Sequence, residues 1–503
     1  RFENTDPCAN VRQHFWVPGD NGGANPYWTI NRNLNETTED RILGFVSVIY
    51  EPFDGLTILG RSALDRSNSF RENRFFNDSY IIADNGRYDA ISNETNEWNT
   101  DFLVSYTKDI GDISFNANVG GNTRVERRNG LNASTGGNPG LLIPNLFALS
   151  NAAVPQAVNQ SLFERNVNSI YAFGQVGYKN GIFLDLTFRN DWSSTLPEAN
   201  RSFSYPSVGL SAVISELVTL PDPISFLKAR ASYAEVGNDT DPFQLARLVN
   251  ASGGFLQLNP VQPNSNLRPE RTRSIELGLD ARFLNARLGL DFTYYRTNSE
   301  DQLFAQDVPQ GSGISQRFLN GGDIQNEGVE IVLSATPIQT KDFTWDVIFN
   351  FARNVSTVVE LAEGIEQLNY GADFLRSFRL DVGEEWGNIY SRGFLRDDAG
   401  NVMIQPATLD DGAANPLAGV PMITPGLDVV IGNFNPDWIG GIRNSFTYKG
   451  FNANFVIDIR SGGEVVSCPQ ELMNAYGELI PTIFSSNNNY IIPPIIIHNH
   501  TYY

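Results

Sequence analysis

The chain has 503 residues and a formal charge of −21, because 57 Asp and Glu outnumber 36 Lys and Arg. It contains no basic stripe, which argues against a nucleic-acid partner. Its longest apolar run, Ile491–Ile497, is far shorter than the roughly 18 residues of a membrane-spanning helix. The composition therefore excludes helical membrane spans and leaves β-structure open.

Fourteen segments alternate apolar and polar residues with the period of two that is typical of β-strands. In residues 286–297, Leu288, Leu290 and Phe292 fall on one face, and Asp291 and Thr293 fall on the other. About ten such residues allow a tilted strand to cross a bilayer. In chain order the predicted strands are 41–50, 56–66, 100–107, 112–122, 168–179, 182–191, 204–214, 226–236, 273–283, 286–297, 325–336, 343–352, 439–448 and 451–461.

Short and long connections alternate between these strands. The short ones carry turn residues, such as Asn180-Gly181 and Lys449-Gly450. The long ones are 67–99, 123–167, 237–272, 298–324 and 353–438, and 192–203 is of modest length. Outer-membrane barrels have short periplasmic turns and long extracellular loops. The pattern thus predicts an all-β fold, a transmembrane antiparallel β-barrel with an apolar outer face and a polar lumen.

Aromatic residues beside the short turns support the membrane interpretation, because outer-membrane barrels carry aromatic girdles at the bilayer interfaces. The alternative is the general preference of β-strands for aromatic residues. Nine aromatic residues at one set of strand ends favour the membrane: Tyr50, Phe53, Tyr106, Tyr178, Phe183, Phe283, Phe343, Tyr448 and Phe451.

No group of residues predicts catalysis, a cofactor or a metal site. The chain has three His (His14, His498 and His500) and no GxSxG motif. Cys8 and Cys468 could pair in an oxidising compartment, but nothing in the sequence requires a disulfide. We expect no enzymatic function.

If such a barrel is a transporter, ligand contacts are expected from lumen-facing and loop residues at its extracellular end. Arg189, Asp191, Trp192 and Tyr205 surround the short loop 192–203. Trp386 and Tyr390 lie in the acidic stretch 354–438, which holds 13 Asp and Glu and four Arg. Packing within the loops, anchoring at the membrane interface or contact with a partner are the alternatives for these residues. For the acidic stretch itself, a solvated loop is favoured over a cation or polar-ligand site.

The two ends of the chain depart from the strand pattern. Pro481, Pro493 and Pro494 forbid a regular central strand near the carboxyl end. We therefore divide the chain into a barrel portion, 1–461, and an irregular tail, 462–503. The amino terminus lacks the features of a signal peptide, so we expect the chain to be the interior of a longer precursor.

Several segments resemble the SusC/RagA-type TonB-dependent outer-membrane transporters. The resemblance covers residues 25 to about 465 and includes NPYW at Asn25–Trp28 and the run Ser169–Ser194. It continues with LKARASYAEVGND at Leu227–Asp239, NLRPERTRSIELGLDARF at Asn266–Phe283, LNGGDIQNEGVEI at Leu319–Ile331 and FNPDWIGGIRNSFTYKGF at Phe434–Phe451. The order of these matches makes the resemblance specific.

The resemblance implies a barrel of about 22 strands, of which this chain supplies a part, together with a plug and a TonB-contacting segment that are not recognisable here. It also implies a SusD-like surface lipoprotein as partner, the TonB–ExbB–ExbD complex as energy source, and a dimer of transporter–lipoprotein pairs. The expected function is active import of an oligosaccharide or peptide. The alternatives are an outer-membrane barrel that acts as a scaffold without transport, and a soluble all-β carbohydrate-binding protein or hydrolase.

Overall fold

The computed structural model describes residues 24–79, 82–252, 255–372, 376–408 and 412–465. Two helices are present in this part of the chain, α1 (Pro26–Arg32) and α2 (Ile214–Leu217), with 3₁₀ turns at Leu149–Asn151 and Gln310–Ser312. Asn25 caps α1 by accepting a hydrogen bond from the Tyr27 N–H at 2.9 Å, and Pro26 occupies the first helical position, where a missing N–H costs nothing. Trp28 is fully buried, and its Nε1 donates to Ser79 Oγ at 3.0 Å.

Within the described residues, fourteen strands form one antiparallel wall. They are β1 (Asn33–Phe53), β2 (Leu56–Phe75), β3 (Arg87–Ile110), β4 (Ile113–Ser134), β5 (Ala157–Tyr178), β6 (Ile182–Ser193), β7 (Ser202–Val213), β8 (Ile224–Asn238), β9 (Glu270–Phe283), β10 (Leu288–Asp307), β11 (Gln316–Gln339), β12 (Phe343–Glu360), β13 (Pro436–Tyr448) and β14 (Phe451–Gly462). Each pairs with the next in sequence, so the wall is a meander with β1 and β14 at its two edges. The fourteen predicted strands are therefore confirmed in number and order.

Shorter strands lie in the loops. Val249–Ser252 pairs with Phe255–Leu258, and Val261–Gln262 pairs in parallel with the start of β11. A separate four-stranded antiparallel sheet, hereafter the loop sheet, consists of Gln367–Ala372, Arg376–Asp381, Asn388–Ser391 and Val429–Asn433.

The register confirms that the wall has two chemically different faces. Phe292 lies between Leu279 and Ile331, whereas Thr293, one residue later, lies between Gly278 and Glu330. Apolar side chains on the first face remain solvent-accessible, among them Ile275 and Leu277 at 49% each. Such a continuous exposed apolar surface suits lipid, so this is the outer face and the opposite, polar face lines the lumen. Among the described residues, no helix is long and apolar enough to span a membrane.

The predicted strand lengths were wrong on the extracellular side. β3 and β11 each have 24 residues, and the segments 67–99 and 298–324, predicted as long loops, consist mostly of paired strand. The remaining connections there are only 76–86 and 308–315. The reason is physical: above the bilayer both faces meet water, so the apolar alternation stops while backbone pairing continues.

The predicted strict alternation of connection length also fails, because 214–223, which contains α2, is longer than 308–315. The acidic stretch is folded rather than simply solvated. Its loop sheet packs on a cluster of buried apolar residues formed by Val358, Leu361, Leu368 and Leu380.

The tight turns follow the prediction in part. Lys449 and Gly450 have positive φ, as a two-residue hairpin that matches strand twist requires. Three residues, Lys179–Gly181, join β5 to β6, and positive φ falls on Lys179 and Asn180 instead of Asn180 and Gly181. A further turn forms at Asp397–Asn401, with the Asp397 N–H donating to the Asn401 carbonyl at 2.9 Å. Both Cys, all three His and nearly all of the tail 462–503 lie outside the described residues.

Candidate functional site

Three of the predicted ligand-contact residues meet on the lumen face next to the extracellular loop 194–201. Arg189 of β6 stands directly opposite Tyr205 of β7, and its Nε donates to Asp191 Oδ1 at 2.8 Å. The Tyr205 hydroxyl donates to the other oxygen of Asp191, which is 7% exposed. Arg189 also donates to Ser169 Oγ at 2.8 Å. The group presents a fixed guanidinium and a fixed phenol ring to the lumen.

Trp192 does not join this group. Successive residues of a strand point to opposite faces, so Trp192 follows Asp191 onto the outer face, between Asn168 and Ser202. There it lines a cavity of about 380 Å³ together with Asn166 and Arg201. The alternation itself contained this information, because residues 191 and 192 cannot both face the lumen in a regular strand.

Four bulky lumen-facing side chains each lie opposite a glycine on the neighbouring strand. They are Tyr171 opposite Gly120, Phe183 opposite Gly177, Arg230 opposite Gly278 and Tyr295 opposite Gly328. Phe183, expected in the aromatic girdle, therefore faces the lumen instead of lipid. A Cβ on Gly120 would lie 2.7 Å from the Tyr171 ring, and one on Gly328 would lie 2.6 Å from the Tyr295 ring. The rings therefore occupy the space of the absent side chains and lie along the wall. This arrangement leaves aromatic surface available to molecules in the lumen.

A buried carboxylate organises the lumen face above the bilayer. Glu126 of β4 is 3% exposed and accepts hydrogen bonds from Arg128 and, at 2.8 Å, from Arg165. Burial raises the pKa of Glu126, but the hydrogen bonds from Arg165 and Arg128 outweigh it and hold the pKa below its ordinary value. Arg165 also pairs with Asp239 at 3.1 Å, which ties the loop after β8 to the wall. The sequence analysis missed this cluster because it lies beyond the apolar alternation.

The two candidates of the acidic stretch lie in the loop sheet and its surroundings. Tyr390 is 2% exposed, and the guanidinium of Arg379 stacks over its ring at 3.9 Å. Burial raises the pKa of Asp381, but hydrogen bonds from Tyr390, Gln367 and Arg379 lower it below the ordinary value. Trp386 packs edge-on against Phe434 with ring centroids 5.2 Å apart. Both aromatic side chains thus support the loop sheet instead of presenting a free surface.

Metal binding finds no support in the part of the chain that the structure describes. No three His, Cys, Asp or Glu side chains within it are grouped so that they could hold an ion. Several carboxylates of the lumen pair with arginines, as in Arg61–Asp101 at 2.9 Å and Arg230–Asp291 at 2.7 Å.

Known proteins that resemble this chain have the same architecture. A family model described as "TonB dependent receptor-like, beta-barrel" matches residues 4–462. TonB-dependent receptor P3 of Formosa agariphila is 28% identical over 474 residues, which cover 88% of this chain and 46% of that protein. TonB-dependent receptor SusC of Bacteroides thetaiotaomicron is 29% identical over 278 residues, which cover 52% of this chain and 27% of that protein.

Among solved structures, the RagAB peptide transporter shares the fold with a TM-score of 0.71 and 19% identity, over 90% of this chain and 51% of that chain. The chain spans about half the length of the curated relatives P3 and P26, and less of the others. Because the family model covers nearly the whole chain and the wall has the expected two faces, the chain belongs to the TonB-dependent receptor family of outer-membrane β-barrels.

Proposed function

We propose that the protein containing this chain imports an oligosaccharide or a peptide across the outer membrane in a TonB-dependent manner, without catalysing a reaction. The observation that carries the proposal is the sorting of the wall into an apolar outer face and a charged, hydrogen-bonding lumen face. Membership in a family of TonB-dependent transporters supports it. In this proposal 1–461 forms barrel wall and loops, 462–503 is an irregular tail, and Arg189, Asp191 and Tyr205 contact the ligand.

The proposed partners are a SusD-like lipoprotein at the surface and the TonB–ExbB–ExbD complex in the periplasm, with transporter–lipoprotein pairs assembling as dimers. Support for a surface partner comes from apolar side chains on the extracellular side, away from the lipid-facing segments. Ile30 of α1 is 71% exposed, and Leu142 and Ile143 of the loop after β4 are 68% and 56% exposed. A protein lid would remove such side chains from water.

Uptake measurements test the proposal. The native bacterium and a strain lacking the gene are grown on a panel of oligosaccharides and peptides as sole nutrient. We expect the deletion strain to lose growth on a member of the panel, and a strain lacking TonB to lose growth on the same member. Growth of the deletion strain on every nutrient that supports the parent would contradict import.

A barrel that acts as a scaffold without transport is the second candidate. It is favoured by the pairing of lumen charges with each other, as in Arg61–Asp101, which leaves fewer charged groups for a ligand. A scaffold predicts unchanged uptake in the deletion strain together with loss of other proteins from the outer membrane, which a proteomic comparison of the two strains would detect.

A further inference from the structure

A cavity of about 680 Å³ lies among the extracellular loops, apart from the lumen group of Arg189, Asp191 and Tyr205. Its walls come from the tip of the β10–β11 hairpin and from the first two strands of the loop sheet. At the hairpin tip, Asp307 pairs with Gln316, whose Nε2 donates to the Asp307 carboxylate at 2.9 Å. The volume of the cavity lies within the roughly 300–1,000 Å³ that is usual for ligand sites.

The one guanidinium of the cavity is already paired with carboxylates. Arg379 is the one basic residue among the described residues that line it. Its Nε donates to Asp381 at 2.9 Å, its Nη1 donates to Asp428 at 2.8 Å, and its guanidinium rests on the Tyr390 ring. A guanidinium with two carboxylate partners has little capacity left to attract an anionic ligand, and the carboxylates of Asp307 and Asp428 repel one, so the lining disfavours anions.

The remaining lining groups suit hydroxyl groups. The side-chain amides of Gln316 and Asn369 supply both donors and acceptors, and the carboxylates of Asp307 and Asp428 supply acceptors. Asn369 is held in place, because Ser377 Oγ donates to its Oδ1 at 3.1 Å. A polyol can satisfy such a set from many directions, and fixed partners lower the entropic cost of binding.

An aromatic ring completes the site. Tyr370 lines the cavity and is 47% exposed, with its ring tilted against Phe378 at 6.4 Å between centroids. The negative face of an aromatic ring attracts the slightly positive C–H groups on one side of a sugar ring. The combination of one exposed ring, amides and carboxylates is the chemistry of a neutral saccharide site.

We propose that this cavity captures a neutral oligosaccharide on the extracellular side. Tyr370 stacks on one sugar ring, and Asn369, Gln316 and Asp428 bind its hydroxyls. Tyr390 is a positioning residue: its ring contacts the guanidinium of Arg379, and its hydroxyl donates a hydrogen bond to Asp381. The inference rests on the proposed import function and narrows its substrate class from oligosaccharide or peptide to neutral oligosaccharide.

A binding experiment tests the site. The full-length protein that contains this chain is purified in detergent and applied to an array of immobilised neutral oligosaccharides and, in parallel, to an array of random peptides. We expect binding to a class of neutral oligosaccharide. For that class, Tyr370→Ala should weaken binding by roughly tenfold or more. Tyr370→Phe keeps the ring face and should retain binding.

The matched control is Tyr27→Ala, which removes an exposed tyrosine of α1 outside the cavity. It should leave oligosaccharide binding unchanged. Binding to peptides alone, for example by addition to the edge strand Gln367–Ala372, would overturn the proposal. So would oligosaccharide binding that Tyr370→Ala leaves intact, or no binding to any oligosaccharide on the array. If the deletion strain loses growth only on a peptide, the proposed import function stands and the proposed saccharide site is refuted.

Discussion

How well the fold tolerates alanine at a lumen-facing glycine depends on which atoms the added Cβ would contact. A Cβ on Gly120 would lie 2.6 Å from the backbone oxygen of Phe102, which cannot move without breaking the β3–β4 pairing. A Cβ on Gly278 would meet the side chain of Arg230, which is long and flexible. Two glycines in equivalent positions on the wall therefore differ in their structural role.

We expect Gly120→Ala to lower the free energy of unfolding by about 1–3 kcal/mol, and Gly278→Ala to lower it by less than about 1 kcal/mol. Urea-induced unfolding of each variant in detergent, followed by circular dichroism, measures the difference. Equal losses in the two variants would show that the close approach at Gly120 does not constrain the wall.

Also at the residue scale, the sequence placed Arg189, Asp191 and Tyr205 beside one loop, and strand parity puts all three on the lumen face. Their contact with a ligand stays a prediction. Tyr370 and Asp428 could not be located in the same way, because their cavity depends on how the loop sheet meets the β10–β11 hairpin. That contact joins residues far apart in sequence, for which neither periodicity nor turn residues give a signal.

At the scale of elements, Glu126 joins β4 to β5, and through Arg165 and Asp239 to the loop after β8. The lowered pKa of Glu126 determines the direction in which the free energy of unfolding changes with pH. The stabilisation is fully present above the ordinary glutamate value of 4.5 and is lost as the pH falls through the lowered value in the folded protein.

We expect Glu126→Gln to lower stability by roughly 2–3 kcal/mol at pH 7, because it removes a buried charge that three arginines contact. The difference from the parent protein should shrink as the pH falls below 4.5, the ordinary value. Urea unfolding at pH 7 and pH 3 measures it. Glu97→Gln, which removes a half-exposed partner of Arg124, is the control and should cost less. A Glu126→Gln effect that is equal at both pH values would contradict the account.

Strand number and order were predictable because lipid imposes a period of two wherever a strand crosses the bilayer. Strand ends were not, since β3 and β11 continue as paired ribbons into water, where no apolar pattern marks them. The loop sheet was missed for a related reason. Its strands have four to six residues each, and its apolar residues become informative only once they pack against Val358 at the end of β12.

At the scale of the whole molecule, one physical condition determines both fold and proposed function: lipid on one face of the wall and water on the other. Lumen ion pairs such as Arg230–Asp291 would be costly in hydrocarbon. The exposed apolar outer face would be equally costly in water.

The most direct test places single cysteines at four consecutive positions of β10, in a background where Cys8 and Cys468 are replaced by serine. The variants are Leu290→Cys, Asp291→Cys, Phe292→Cys and Thr293→Cys, each labelled with a fluorophore and reconstituted in lipid vesicles. Spin labels on the acyl chains should quench the fluorescence of labels at positions 290 and 292. A water-soluble quencher should quench the labels at positions 291 and 293. Uniform quenching of all four positions by either reagent would contradict the two-faced wall.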